Sequence, residues 1–135
     1  MKVLFVCVEN SCRSQMAEGF GRQLGWDAWS AGSKPSGKVN ETAILLMKEK
    51  GIELSTSRSK SLDEVPASGW DLVVTMGCGD ACPNVASKAR ADWALPDPKN
   101  LLLPEFRAVR DEIERRVRGL ALPEQRSPPD DRTGS

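Results

Sequence analysis

Apolar residues fall in blocks separated by polar turns, and the spacing within the blocks switches between strand-like and helix-like along the chain. Residues 2–8, KVLFVCV, are almost unbroken apolar and β-branched, which predicts a strand buried on both faces of a parallel sheet. The polar loop ENSCRS follows. Residues 14–24 then read as a helix, with Met16, Ala17 and Phe20 on one face, Leu24 a turn later and Gly25 closing it. A short second strand is predicted over 26–30, ending in the Gly-, Ser- and Pro-rich loop 31–37. Asn40 caps a helix expected over 41–50, with Ile44, Leu45 and Met47 facing inward and Gly51 at its end.

Residues 57–64 read as a loop with a short turn of helix, and 70–76, WDLVVTM, as the next buried strand. A loop over 77–83 carries two cysteines, a short strand is expected at 91–94, and LPDPKN makes a turn. Pro104 opens the last helix, where Phe106, Val109, Ile113, Val117 and Leu120 recur at helical spacing. Its acids lie early and its arginines late, as the helix dipole favours. Strands alternating with helices predict one doubly wound α/β domain. Its central parallel four-stranded sheet is flanked by helices, with the functional residues at the carboxyl ends of the strands. That domain is expected over 1–122, and the polar, proline-rich 123–135 as a disordered tail.

At 135 residues the chain can bury a core without disulfides or metal. Lys plus Arg and Asp plus Glu each number 19, so the net charge is zero and the basic excess of a nucleic-acid binder is missing. Anion recognition must then come from a local set of donors. No apolar run approaches the roughly 18 residues of a membrane span, and MKVLFVCVEN lacks a small-residue cleavage site. A monomer in the cytoplasm is expected. Four cysteines, at 7, 12, 78 and 82, are then reduced thiols with metal-binding or catalytic work. Histidine is absent, which excludes Cys-His and Ser-His-Asp catalysis and any Cys/His zinc site.

The most informative stretch is Cys7-Val8-Glu9-Asn10-Ser11-Cys12-Arg13-Ser14, a cysteine and an arginine separated by five residues between a predicted strand and a predicted helix. A loop in that setting can turn its N–H groups inward as an anion nest, with the helix N-terminus adding positive charge. Arg13 can set its planar guanidinium against two oxygens of the anion. The same field stabilises a Cys7 thiolate as nucleophile, and Ser14 can hydrogen-bond its sulfur. The plainer reading makes Cys7 a buried strand residue; the loop context weighs against it. Asp97, between two prolines in LPDP, is by itself an ordinary turn former. Beside a Cys-x5-Arg loop it becomes a candidate proton donor to a departing oxygen. Cys78 and Cys82 lie in one short loop segment. Their spacing does not match the common zinc ribbons, which favours thiol–disulfide exchange over metal binding.

Together CVENSCRSQMAEG, SAGSKP at 30–35, VVTMGCGDACP at 73–83 and LPDP at 95–98 resemble the thioredoxin-coupled arsenate reductases, which share the fold of the low-molecular-weight tyrosine phosphatases. The resemblance covers about residues 1–120. It implies that Cys7 attacks arsenate held by the loop 8–14 and by Arg13, while Asp97 protonates the departing oxygen. Cys78 would then attack the sulfur of Cys7, and Cys82 that of Cys78, leaving a Cys78–Cys82 disulfide for thioredoxin. Phosphate and sulfate would compete for the loop. No resident cofactor is implied beyond potassium, which some members bind beside the loop where Asn10 and Glu18 stand here.

Glu9 stands where many members have glycine, and its side chain is expected to point away from the anion. Several members space the last two cysteines more widely. Cys12 is either a packing residue or an oxidation partner for Cys7. Three rival readings remain at this point: a phosphatase acting on phosphate esters, a reductase drawing on glutaredoxin or a small thiol, and a non-catalytic anion sensor or metal module. The absence of tyrosine, and of aromatic residues after LPDP, disfavours a phosphotyrosine substrate.

Overall fold

The computed structural model describes residues 1–77 and 85–120. Cys78, Cys82 and the segment 123–135 expected as a tail lie outside the described residues. The order of elements is β1 (Lys2–Cys7), α1 (Arg13–Gln23), β2 (Asp27–Gly32), α2 (Glu41–Lys48), β3 (Leu72–Thr75), β4 (Arg90–Asp92) and α3 (Leu103–Leu120). Among the described residues two short 3-10 turns, Leu62–Glu64 and Pro98–Asn100, stand in the connections. The four strands form one sheet in the order β2-β1-β3-β4, and every pairing is parallel. This is the single α/β domain expected from the alternation of strands and helices.

β1 is central and buried on both faces, so its side chains divide between two cores. Val3, Phe5 and Cys7 face a large cluster with Met16, Ala17 and Phe20 of α1, Leu46 and Met47 of α2, and Phe106, Ile113 and Val117 of α3. Leu4 and Val6 face the opposite cluster with Val65, Trp70 and Val73. A strand serving two cores cannot alternate polar with apolar, which is why KVLFVC reads as a continuous run. Truncating a fully buried aromatic such as Phe20 is expected to cost about 3–5 kcal/mol.

Several boundaries move. β2 runs to Gly32 rather than ending at residue 30, because Ala31 and Gly32 pair with Val6 and Cys7. Their composition, in the Gly-, Ser- and Pro-rich stretch 31–37, is that of a loop. β4 occupies Arg90–Asp92 rather than 91–94: Trp93 still donates its N–H to Thr75, but its ring turns in toward Phe5. In α2 the inward residues are Ala43, Leu46 and Met47, with Ile44 partly buried, while Leu45 is exposed. Positions 43, 46 and 47 keep the spacing of one helical face; 45 falls off it. Asn40 caps α2 as expected, its side chain accepting from Thr42 and Ala43. Among the described residues no helix is long and apolar enough to cross a membrane.

Candidate active site

The loop 8–12 links the carboxyl end of β1 to the first turn of α1, where Arg13 and Ser14 sit. Its carbonyls are all drawn outward. Cys7 O accepts from Ser33 N at 3.2 Å, Val8 O from Lys34 N at 2.8 Å, and Glu9 O from Ser36 N at 3.1 Å. Ser59 Oγ adds a second bond to Glu9 O at 2.8 Å. Asn10 O accepts from Gln15 Nε2 at 3.2 Å, Ser11 O from Asn40 N at 3.0 Å, and Cys12 O from Met16 N at 3.0 Å. With every carbonyl from Cys7 to Cys12 held from behind, the N–H groups are left to face the hollow of the loop. Among the described residues, those of Glu9 to Cys12 find no acceptor in the protein. A concave row of free N–H groups capped by a helix N-terminus is an anion site.

Two features hold this curvature. Asn10 adopts φ +52°, a left-handed conformation that asparagine tolerates better than most residues, and it is fully buried. Its side-chain oxygen accepts from Gln15 Nε2 at 3.0 Å and Lys60 N at 2.8 Å, while its Nδ2 donates to Ser14 Oγ at 2.8 Å. Gly32 lets β2 close on the loop, since a Cβ there would lie 2.5 Å from Val8 O.

Cys7 ends β1 at the floor of the hollow, 2 % exposed, with Ser14 Oγ 2.8 Å from its sulfur. Because Asn10 occupies one lone pair of that hydroxyl as donor, the serine hydrogen is free to point at Cys7, the polarity that stabilises a thiolate. Arg13 is buried, its Nη1 donating to Leu95 O at 3.0 Å and its Nη2 lying 3.9 Å from Asp97 Oδ2. Asp97 has a different partner at each oxygen. Oδ1 accepts from Lys99 N at 3.0 Å and caps the 3-10 turn, and the other oxygen faces the arginine from a half-exposed position at the mouth.

Glu9, half-exposed, is paired with Lys99 Nζ at 3.1 Å, which joins the anion loop to the turn carrying Asp97. Both residues border a cleft of about 480 Å³ beside the loop. Cys12 is buried and burial pushes its thiol up to about 11, against the opposing pull of the Ser11 hydroxyl. It belongs to the main core, the packing role weighed for it, and both Cys7 and Cys12 are free.

The structure therefore brings Cys7, Arg13, Ser14 and Asp97 into one site. It also brings in Gln15, Ser59, Lys60 and Lys99, which the sequence did not single out. Lys60 reaches Asn10 across a separation of 50 residues, and nothing in the local pattern SRSKS signals that contact.

The low molecular weight phosphotyrosine protein phosphatase family model matches residues 2–127. The chain is 41% identical over 124 residues to the glutaredoxin arsenate reductase of Synechocystis sp., covering 88% of this chain and 95% of that protein. It is 43% identical over 132 residues to the arsenate reductase of Halalkalibacterium halodurans, covering 88% and 94%. A solved arsenate reductase in its phosphate-binding state superposes with a TM-score of 0.81 at 42% identity, covering 89% of this chain and 96% of that one. The chain belongs to the arsenate reductase group of the low molecular weight phosphatase family. Within that family fold, the loop 8–12 leads from Cys7 to Arg13, and Asp97 stands on the turn facing the arginine.

The alkali cation that the family resemblance implied beside Asn10 and Glu18 does not fit this chain. Asn10 Oδ1 already accepts two N–H bonds. Glu18 accepts from Ser30 Oγ, its Oε2 lies 2.8 Å from Arg22 Nη2, and its Oε1 lies 3.7 Å from the ammonium of Lys60. A potassium ion would meet two side-chain cations and oxygens that are already engaged. Among the described residues no cluster of metal-ligating side chains occurs.

Proposed function

We propose that this chain reduces arsenate to arsenite, with Cys7 as nucleophile and an internal relay through Cys78 and Cys82. The observation that carries the reading is the cradle of outward-held carbonyls, with the Cys7 sulfur at its floor beside the Ser14 hydroxyl and Arg13 at its rim. Arsenate bound there accepts the loop N–H bonds and the guanidinium. Cys7 thiolate attacks arsenic, a sulfur–arsenic bond forms, and an oxygen leaves as water after taking a proton from Asp97.

Cys78 thiolate next attacks the sulfur of Cys7. The sulfur–arsenic bond breaks with its electron pair going to arsenic, so As(V) becomes As(III) and departs as arsenite while a Cys7–Cys78 disulfide forms. Cys82 attacks Cys78, releasing the Cys7 thiolate and leaving a Cys78–Cys82 disulfide for an external reductant. Three thiols on one chain suit a dithiol reductant of the thioredoxin type, since the oxidising equivalents end on a cysteine pair. Thiols that must return to the reduced state fit the cytoplasm, and among the described residues one copy supplies Cys7, Arg13, Ser14 and Asp97, which fits a monomer. Phosphate and sulfate share the tetrahedral shape and compete for the loop.

The alternative reductant is glutaredoxin, named in the Synechocystis relative, or a small thiol. The alternative reaction is hydrolysis of phosphate esters, for which Cys7, Arg13 and Asp97 suffice. A coupled assay following NADPH oxidation with arsenate, thioredoxin and thioredoxin reductase separates these, run on wild type and Cys78→Ser. Arsenate-dependent oxidation that vanishes in the mutant is expected. Aryl phosphate cleavage equal in both proteins, with no arsenate turnover, would make the chain a phosphatase. Turnover only with glutathione and glutaredoxin would reassign the reductant.

A further inference from the structure

Glu18 is a carboxylate on α1 with 4 % of its surface exposed. A buried charge of this kind needs a counter-charge that water does not screen. Its partner Arg22 has a side chain 60% exposed and lies at the surface, whereas the side chain of Lys60 is 14% exposed and enclosed with the carboxylate. The Lys60 ammonium is held further by Arg58 O at 3.1 Å. The oxygens that meet it are Glu18 Oε1 and Arg58 O, while the guanidinium groups of Arg22 and Arg58 oppose its charge and burial pulls its pKa down.

The main chain of the same residue is built into the anion loop. Lys60 N donates to Asn10 Oδ1 at 2.8 Å, and Lys60 O accepts from Gly32 N at 2.8 Å. Asn10 in turn donates to Ser14 Oγ, which contacts the Cys7 sulfur. A continuous line therefore runs from Glu18 through the ammonium and backbone of Lys60 to Asn10, Ser14 and Cys7. If the ammonium leaves, Glu18 keeps Arg22 and Ser30 but loses its link to Lys60, and the freed segment 58–60 acts directly on the left-handed Asn10.

We propose that Lys60 is a positioning residue that serves as a built-in monovalent cation, holding the anion loop in its binding shape so that this chain needs no dissociable alkali ion. The proposal rests on the loop as an oxyanion site and not on the reduction step. Its test uses inorganic phosphate, heat and alkylation, so failure of arsenate turnover leaves it standing.

Phosphate affinity by calorimetry, melting temperature and the pH profile of Cys7 alkylation by iodoacetamide, located by tandem mass spectrometry, are to be measured in potassium, sodium and choline chloride at equal ionic strength. Wild type and Lys60→Arg are expected to give the same values in all three salts. Lys60→Ala in choline is expected to bind phosphate about tenfold more weakly, as loss of an outer positioning contact commonly does, and to alkylate Cys7 with its pH midpoint moved upward. Potassium, entering the vacated space beside Glu18, should restore both and raise the melting temperature. A wild type that binds phosphate more tightly or melts higher in potassium than in choline overturns the proposal. So does Lys60→Ala with the wild-type affinity and alkylation profile. Should Lys60→Ala fail to fold, the wild-type and Lys60→Arg salt series still decide.

Discussion

Ser14 Oγ lies 2.8 Å from Cys7 Sγ, and the same oxygen accepts a hydrogen bond from Asn10 Nδ2. The serine is thereby polarised toward the sulfur, linking a strand end to a helix start by a single hydroxyl. Ser14→Ala removes the hydroxyl partner of the Cys7 sulfur, an interaction of about 1.5–3 kcal/mol to the thiolate of the proposed mechanism. Alkylation of Cys7 at neutral pH is expected to slow by about tenfold to a hundredfold. Asn10 Nδ2 also loses its acceptor, so the variant should melt lower. An unchanged alkylation rate would remove Ser14 from activation of the nucleophile.

One substitution separates the cap that Asp97 provides from the proton donation proposed for it. Asparagine retains the side-chain oxygen that caps Lys99 N but cannot give up a proton. Asp97→Asn should keep the phosphate affinity and melting temperature of wild type while the first arsenate turnover slows by about 10²–10⁴, the usual worth of a general acid. Single-turnover quench measurements read this directly. A comparable loss of phosphate affinity would instead make Asp97 a structural partner of Arg13.

Gly77 gives the arginine its room. It sits at φ +81°, and a Cβ on it would lie 2.6 Å from Arg13 Nη1 and 3.2 Å from Leu95 O. Gly77→Ala should lose about 1–2 kcal/mol through the left-handed backbone and, in addition, push the guanidinium out of place. Gly25→Ala, at φ +87° with nothing within 4 Å, is the control for the backbone effect alone. Calorimetry is expected to find weaker phosphate binding only in the Gly77 variant; equal losses in the two would refute the steric argument.

Glu49 anchors the end of α2 to α3. Arg107 and Arg110 both bond its carboxylate, at 2.8 Å and 2.7 Å, and the Arg107 bonds, followed by those from Arg110, hold its pKa down at about 2. Since the folded value lies below the ordinary 4.5, the network stabilises the fold fully above about pH 4.5 and loses that contribution as pH falls through about 2. Glu49→Gln should melt lower than wild type at pH 6, and the gap should shrink steadily on acidification. A gap independent of pH would mean the carboxylate charge contributes nothing.

Much of this was legible in the residues. The run KVLFVC marks the central strand because both its faces are buried, and a Cys-x5-Arg loop between strand and helix points to an anion cradle. Asn40 as a cap and Val109, Ile113 and Val117 as an inward stripe follow from rules that span one or two turns. The errors came where tertiary partners override local pattern. Ala31 and Gly32 joined β2 because β1 offered them a ladder, and Leu45 was left outside because α2 rotates Leu46 into the core.

The sequence by itself determined the architecture and set Cys7 and Arg13 at the two ends of one loop, since strand, loop and helix there are consecutive and their chemistry is local. Only the tertiary structure decided how the loop is held open and what stands behind it. The donors to its carbonyls come from Ser33, Lys34, Ser36, Asn40 and Ser59, Arg13 meets Leu95, and Lys60 supplies the charge beside Glu18. Those contacts join segments far apart in the chain. Hydrogen bonds and ion pairs act over a few ångströms of space whatever the distance in sequence, so no local periodicity encodes them.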